Sequence, residues 1–249
     1  MSAVQIAEVR SFYDGFWDPA NEAAQLEHDY WTFQVEAREW AYAQLSPVRG
    51  KRILEIGPGL GQDTVTLAER GAELTVIDVS APGLDVARRA VERAGLLDRC
   101  TFEQRDAQAT GFPDDRFDGI FARGVTMHVD HHVFLREMAR ILKPGASVVL
   151  IDPLKYHPVI NLYRLSVSSC KDSRPTYRTI RDMADAARYF SAFDHREFYL
   201  NSVLALIFRS RPGIYEKLTR PLQALDQATL AVLPFLRPFA WTVVVAYRK

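Results

Sequence analysis

The sequence predicts an α/β fold built on a mostly parallel sheet with helices on both faces. Three observations carry that expectation. Short apolar strands alternate with helical segments roughly every 20–25 residues from residue 51 to residue 152. A glycine-rich turn joins the first of these strands to the helix after it. Acidic residues then mark the ends of the next strands.

The elements follow in order. Residues 1–48 are aromatic-rich and read as helical, with Phe12, Tyr13, Phe16 and Trp17 at helical spacing and a second helix over Asn21 to Leu45. Ser46-Pro47 ends that helix, because the residue before proline is pushed out of the helical region. Arg52 to Ile56 is the first strand, and Gln62 to Arg70 the helix closed by Gly71. Glu73 to Ile77 is a second strand ending at Asp78, followed by a helix from Pro82 to Ala94. Arg99 to Glu103 is a third strand ending near Asp106. Phe117 to Phe121 is a fourth, Val133 to Leu142 a helix, and Ala146 to Ile151 a fifth strand ending at Asp152. Beyond Asp152 the rhythm breaks, with prolines at 153, 158 and 175 among mixed helices and loops. Arg196 to Val203 reads as a sixth strand, 212–236 as helix, and Ala240 to Tyr247 as a seventh strand. The expected organisation is one domain. It comprises an N-terminal helical cap (1–48), a core (49–153), inserts forming a second part of the cap (154–239) and a last strand (240–249).

Composition narrows the function classes. Lys plus Arg and Asp plus Glu are balanced at 31 each, so no long-range field favours a phosphate backbone, and a nucleic-acid partner is not expected. The two cysteines, Cys100 and Cys170, match no metal-ligand spacing and are expected to be reduced thiols. The N-terminus lacks a basic start and an apolar run, so no signal peptide is expected, and a cytoplasmic location follows from that. The longest apolar stretch, Leu225 to Tyr247, is broken by Asp226, Pro234, Arg237 and Pro238 and does not read as a membrane span.

The turn reads Glu55-Ile-Gly57-Pro58-Gly59-Leu-Gly61. Glycines let the chain turn sharply and let a ligand lie against bare peptide groups. A dinucleotide fingerprint wants a glycine at the sixth place, where Gln62 stands, so the turn is a poor pyrophosphate cradle. Glu55 would repel a diphosphate but would suit a ligand carrying an ammonium and a sulfonium. Asp78, at the carboxyl end of the second strand, can accept hydrogen bonds from both hydroxyls of a ribose. Asp106 can reach an adenine amino group. Asp63 opens the helix after the turn, where an acid suits the positive helix end, and a polar contact to a cofactor is a second possible role.

ILEIGPGLGQDTVTLAERGAELTVIDVS resembles the first two motifs of the class I S-adenosylmethionine-dependent methyltransferases. RDAQATGFPDDRFDGIFARGVTMHV and FLREMARILKPGASVVLIDP resemble the parts of that family that follow, in order and over about residues 50–153. The resemblance implies a Rossmann-like sheet of seven strands, the last antiparallel, and S-adenosyl-L-methionine as cofactor with S-adenosyl-L-homocysteine as product. It implies that Glu55, Gly57, Gly59 and Gly61 line the methionine part of the cofactor and that Asp78, with Val79 beside it, holds the ribose. Asp106 and Ala107 meet the adenine, and the backbone of Ala122 and Arg123 passes near the methionine part.

Methyl transfer to oxygen or nitrogen requires a proton to leave, often to a nearby base. His128, in GVTMHVDHH after the fourth strand, is the candidate base, with a shape-giving role as its alternative. His131 and His132 are expected to start the next helix, and no metal site is expected. The fourth strand ends in Ala-Arg-Gly-Val and lacks the Asn/Asp-Pro-Pro-aromatic run of base and amide methylases. Tyr13, Trp17, Tyr30 and Trp31 are cap residues, with Tyr13 the preferred contact. Tyr156, His157, Tyr163, Arg174, Tyr177 and Arg178 are unranked candidates for a substrate pocket. The expected function is methyl transfer to a small molecule, most readily on oxygen. The alternatives are a non-methylating or bifunctional reaction such as cyclisation on the same fold, or a non-catalytic binding subunit. Oligomeric state is open.

Overall fold

The computed structural model describes residues 3–18, 33–166 and 175–249. Helix α1 (Ala3–Phe16) and α2 (Val35–Leu45) precede β1 (Arg52–Ile56). Then come α3 (Gln62–Glu69), β2 (Glu73–Asp78), α4 (Ala81–Arg93), β3 (Cys100–Gln104) and β4 (Gly119–Arg123). Helix α5 (His131–Ile141), β5 (Ser147–Pro153), α6 (Pro158–Ser166) and α7 (Ile180–Ala186) follow. The chain continues through β6 (Ala192–Phe198), α8 (Pro212–Val232) and β7 (Thr242–Arg248).

The seven strands form one sheet in the order β3-β2-β1-β4-β5-β7-β6. The pairs from β3 to β5 are parallel, and β7 runs antiparallel to both β5 and β6. The central strands are apolar on both sides because both faces are covered. On one face Leu54, Ile56, Ile120, Leu150 and Val245 pack against Phe134, Leu135 and Met138 of α5 and Met183 of α7. On the other, Ile53, Val76, Phe121, Val149 and Val244 meet Ala41 and Tyr42 of α2 and Leu67 of α3. Strand order reverses between β1 and β4, where Ile56 pairs with Ala122. A sheet of this type opens a crevice at that point, at the carboxyl ends of its strands.

Local chemistry sets the helix starts. The Ser80 hydroxyl accepts from Gly83 N at 3.2 Å at the start of α4. The Asp130 carboxylate accepts from the N–H groups of both His132 and Val133 at 3.1 Å. That cap moves the start of α5 to His131, two residues ahead of the expected Val133.

Two strands differ from expectation. The fourth lies at Gly119–Arg123, and Phe117 makes only an isolated bridge with Leu142. The sixth lies at Ala192–Phe198, several residues before Arg196–Val203. It stops at Phe198 because Tyr199 adopts φ 67° and the buried Asp226 carboxylate gathers the next three N–H groups, those of Leu200, Asn201 and Ser202. Residues Ser202–Phe208 then wind as a 3₁₀ helix. Of the helix expected over Asn21–Leu45, Val35–Leu45 is helical and 19–32 lie outside the described residues. No helix among the described residues is long and apolar enough to cross a membrane.

Candidate functional site

The crevice holds a cavity of about 200 Å³, with Ile56, Gly57 and Gly59 in its wall at the end of β1. The loop after β1 is tied to β2 by a hydrogen bond from Gly57 N to Ile77 O at 2.9 Å. Gly57 has φ +67°, and a Cβ there would lie 2.5 Å from Val125 Cγ2, so only glycine lets the turn after β4 come this close. Gly61 has φ +80° and does different work. A Cβ on it would stand 2.9 Å from the Ala87 Cα, so it lets the start of α3 press onto α4. Gly61 is not in the cavity wall, and neither are Pro58, Glu55, Asp63 and Ala122.

Asp78, Val79, Asp106 and Ala107 all lie in the wall, at and after the ends of β2 and β3. Asp78 Oδ1 accepts from Ser80 N at 2.8 Å, and burial pushes its carboxyl up to about 6. Asp106 Oδ1 accepts from Gln108 N at 2.8 Å. Glu55 lies beneath the loop, 2% exposed, with Oε2 unpartnered. Burial, and then the charge of Asp63, push its carboxyl up to about 8.

Asp63 is likewise buried, and both of its oxygens are engaged. Oδ1 accepts from the Tyr42 hydroxyl at 2.5 Å and Oδ2 from Arg123 Nε at 2.7 Å. Asp63 therefore anchors Arg123 at the end of β4 and fixes α2 to α3. Arg123 itself is part of the cavity wall, together with Gly124 and Val125.

The remaining wall comes from α1, through Ile6, Val9, Tyr13 and Trp17. The Trp17 indole lies against α4, with Cδ1 2.9 Å from where a Cβ on Gly83 would stand. Tyr13 Oη lies 2.8 Å from His128 Nε2, and the two rings meet edge to face. His128 closes a short 3₁₀ helix, Thr126–His128, after β4. Its Nδ1 is buried without a partner, and burial pushes its pKa down to about 4, so the imidazole is neutral near pH 7.

Sequence reasoning singled out neither Arg105, Gln108, Gly124, Val125 nor Val129, all of which line the cavity. Position alone could have found Gly124 and Val125, because they follow directly on β4. Of the candidates in the late inserts, Tyr163 and Tyr177 line a second cavity of about 220 Å³, which shares Arg123 and Gly124 with the first. His157 instead hydrogen-bonds the Leu200 carbonyl at 2.8 Å, and Arg178 donates to the carbonyls of Thr126 and Val129. Tyr156 is exposed. Tyr30, Trp31, Cys170 and Arg174 lie outside the described residues. Among the described residues, no cluster of three or more His, Cys, Asp or Glu side chains could hold a metal ion.

A seven-stranded sheet of this order is the Rossmann-like fold shared by solved methyltransferase structures, and here a glycine turn after β1 and acids after β2 and β3 face one cavity. Residues 54–150 match the family described as a methyltransferase domain. Methyltransferase GfsG of Streptomyces halstedii is 34% identical over 146 residues, covering 55% of this chain and 49% of that protein. The 27-O-demethylrifamycin SV methyltransferase of Amycolatopsis mediterranei is 31% identical over 58% of each chain. The chain thus spans about half the length of the curated relatives it matches. Proteins named as O-methyltransferases and as C-methyltransferases both occur among them. The phosphoethanolamine N-methyltransferase 2 of Haemonchus contortus, solved with S-adenosylhomocysteine, shares the fold at a TM-score of 0.67 and 18% identity, over 97% of this chain and 60% of that one.

Proposed function

We propose that the protein transfers the methyl group of S-adenosylmethionine to a hydroxyl oxygen of a small molecule and releases S-adenosylhomocysteine. The observation that carries this reading is the cavity at the strand-order reversal, where glycine backbone, Asp78 and Asp106 face one space. When bound, the cofactor supplies an electrophilic methyl on a sulfonium. Gly57 and Gly59 leave room for its methionine part beside the backbone of Arg123. The Asp78 carboxylate would accept from the ribose hydroxyls, Asp106 would receive the adenine amino group, and Val79 and Ala107 would lie beside the rings. Glu55 and Asp63 lie behind this wall and shape it; with its carboxyl pushed up to about 8, Glu55 is largely neutral at pH 7 and fills space there rather than supplying charge. Pro58, Gly61 and Ala122 set the course of the backbone around it.

Tyr13 closes the cavity from α1, and His128 holds it there. With a pKa near 4, His128 is a weak base, which favours this positioning role over proton removal. Tyr13→Phe is expected to weaken S-adenosylhomocysteine binding about fivefold, the worth of one hydrogen bond. Calorimetry on the pure protein checks this, and an unchanged affinity removes Tyr13 from the closure.

Affinity should also depend on pH. Asp78 would accept from the ribose only as a carboxylate, and burial pushes that carboxyl up to about 6. Above pH 7 the affinity should be flat. Below pH 6 a proton must leave before the ligand binds, and the dissociation constant should rise by up to about tenfold per pH unit. A flat profile down to pH 5 would separate Asp78 from the ribose.

The oxygen acceptor fits the relatives named as O-methyltransferases, while the C-methyltransferases among them mark the competing outcome. Calorimetry with near-millimolar S-adenosylhomocysteine tests the cofactor, and no detectable heat of binding overturns the proposal. Carbon-proton correlation spectra of the methylated product test the acceptor atom. A product formed with no gain of a methyl group would point instead to a non-methylating reaction on the same fold.

A further inference from the structure

The second cavity lies beyond the ends of β4, β5 and β7 and meets the first at Arg123 and Gly124. Its walls are largely apolar and aromatic, from Met127, Ile151, Ile160, Tyr163, Tyr177 and Trp241. Two polar atoms in buried wall residues are without a partner, Asp152 Oδ1 and Thr242 Oγ1. Both residues are almost wholly buried, at 3% and 1% exposure. Asp152 Oδ2 is already used, accepting from the Thr126 hydroxyl at 2.8 Å at the start of the 3₁₀ helix that ends in His128. That bond accounts for one oxygen and leaves the other. A buried carboxylate oxygen with no donor is costly, and native proteins rarely leave one unexplained. A ligand donor supplies what is missing.

We propose that this cavity binds the methyl acceptor as a planar hydroxylated aromatic whose nucleophilic hydroxyl donates to Asp152. The inference rests on the methyl-transfer reading above. The wall charges select among donors. Arg123 and Arg164 both line the cavity, and the Arg164 guanidinium lies 3.4 Å from the centroid of the Tyr177 ring. Arg123 is already neutralised by Asp63, so Arg164 is the wall cation that disfavours an acceptor entering as an ammonium, while Asp152 disfavours one that enters as a carboxylate. A neutral hydroxyl on a flat apolar body meets neither penalty and offers the aromatic walls a face to stack on. Thr242 provides a second polar contact for a substituent of the ring.

The step balances. The acceptor oxygen forms a bond to the methyl carbon as the carbon–sulfur bond breaks, its electron pair staying on sulfur. The hydroxyl proton passes to the Asp152 carboxylate and from there to solvent. Burial pushes that carboxyl up to about 6, against the nearby charge of Arg178, so it is a better proton acceptor than His128 yet still ionised at neutral pH.

The test uses the whole protein saturated with S-adenosylhomocysteine and three probes, 2-naphthol, 2-methoxynaphthalene and 2-naphthylamine, with binding followed by ligand-observed NMR. The expected result is that 2-naphthol binds at least tenfold more tightly than the other two. Asp152→Asn should weaken 2-naphthol about tenfold, since a charged acceptor becomes a neutral one, with S-adenosylhomocysteine affinity held within twofold. Equal binding of 2-naphthol and its methyl ether, tighter binding of the amine, no binding of any probe, or no effect of Asp152→Asn overturns the proposal. Should Asp152→Asn disturb the 3₁₀ helix and lower the melting temperature, Thr242→Val decides instead. It leaves that helix alone, and the probe there is 2,3-dihydroxynaphthalene, whose second hydroxyl is the substituent Thr242 would meet; an unchanged affinity for it overturns the proposal. Failure of the unaltered protein to bind S-adenosylhomocysteine would be a separate result, against the methyl-transfer reading itself.

Discussion

Asp78→Ala is expected to weaken S-adenosylhomocysteine binding by at least about 100-fold. The proposed contacts are two hydrogen bonds from ribose hydroxyls to an ionised acceptor, each worth about 1.5–3 kcal/mol, and about 3 kcal/mol in total already exceeds a factor of 100. The loss should not come from unfolding. Burial has already pushed this carboxyl up to about 6, so its charged form is disfavoured in the folded protein, and removing it relieves a cost at pH 7. Asp78→Asn keeps the shape and one acceptor oxygen and should fall between the two. Calorimetry, with the melting temperature as control, checks all three proteins. An Asp78→Ala protein that binds within threefold of the original would place the ribose elsewhere.

The second large effect is on stability. Asp63→Ala should destabilise the fold by about 3–5 kcal/mol, the range for breaking a buried ion pair from one side. The Asp63 side chain is 3% exposed and serves two donors on different elements, Arg123 on β4 and Tyr42 on α2. Its removal takes the ion pair from a guanidinium that is itself largely shielded, with 23% of its side chain exposed. Tyr42→Phe, which leaves the ion pair intact, should cost only about 1–2 kcal/mol. Urea denaturation of the three proteins separates these values, and a change below 1 kcal/mol for Asp63→Ala would show that the network relaxes or rehydrates.

The core from β1 to β5 was legible because its signals are local. Each strand is a short apolar run, and each following turn carries its own glycine, proline or capping side chain within a few residues. Asp78 and Asp106 were legible for the same reason, as acids at strand ends next to a glycine turn. What the sequence did not disclose depends on distant partners. The end of β6 is set by Asp226, more than twenty residues further on, which captures three N–H groups that a local reading assigns to the strand. Asp63 reads as a helix-opening acid until Tyr42 and Arg123 are seen on either side of it. His128 reads as a free base until Tyr13 is found on its Nε2. Asp152 showed only as a strand end, since its meaning depends on Thr126 and on a cavity that Thr242 helps to wall.

The placement of β7 between β5 and β6 makes this strand the seam that holds β6 to the sheet. Among the described residues β6 pairs in the sheet with β7 alone, and Val243, Val244, Val245 and Tyr247 of β7 are fully buried. Strand β7 follows β6 in the chain and pairs with both β5 and β6, so it joins β6 to the rest of the sheet. Without β7, the exposed edge of β5 is a docking site for any other extended chain nearby. A sheet without β7 would expose two open edges at once, one on β5 and one on β6.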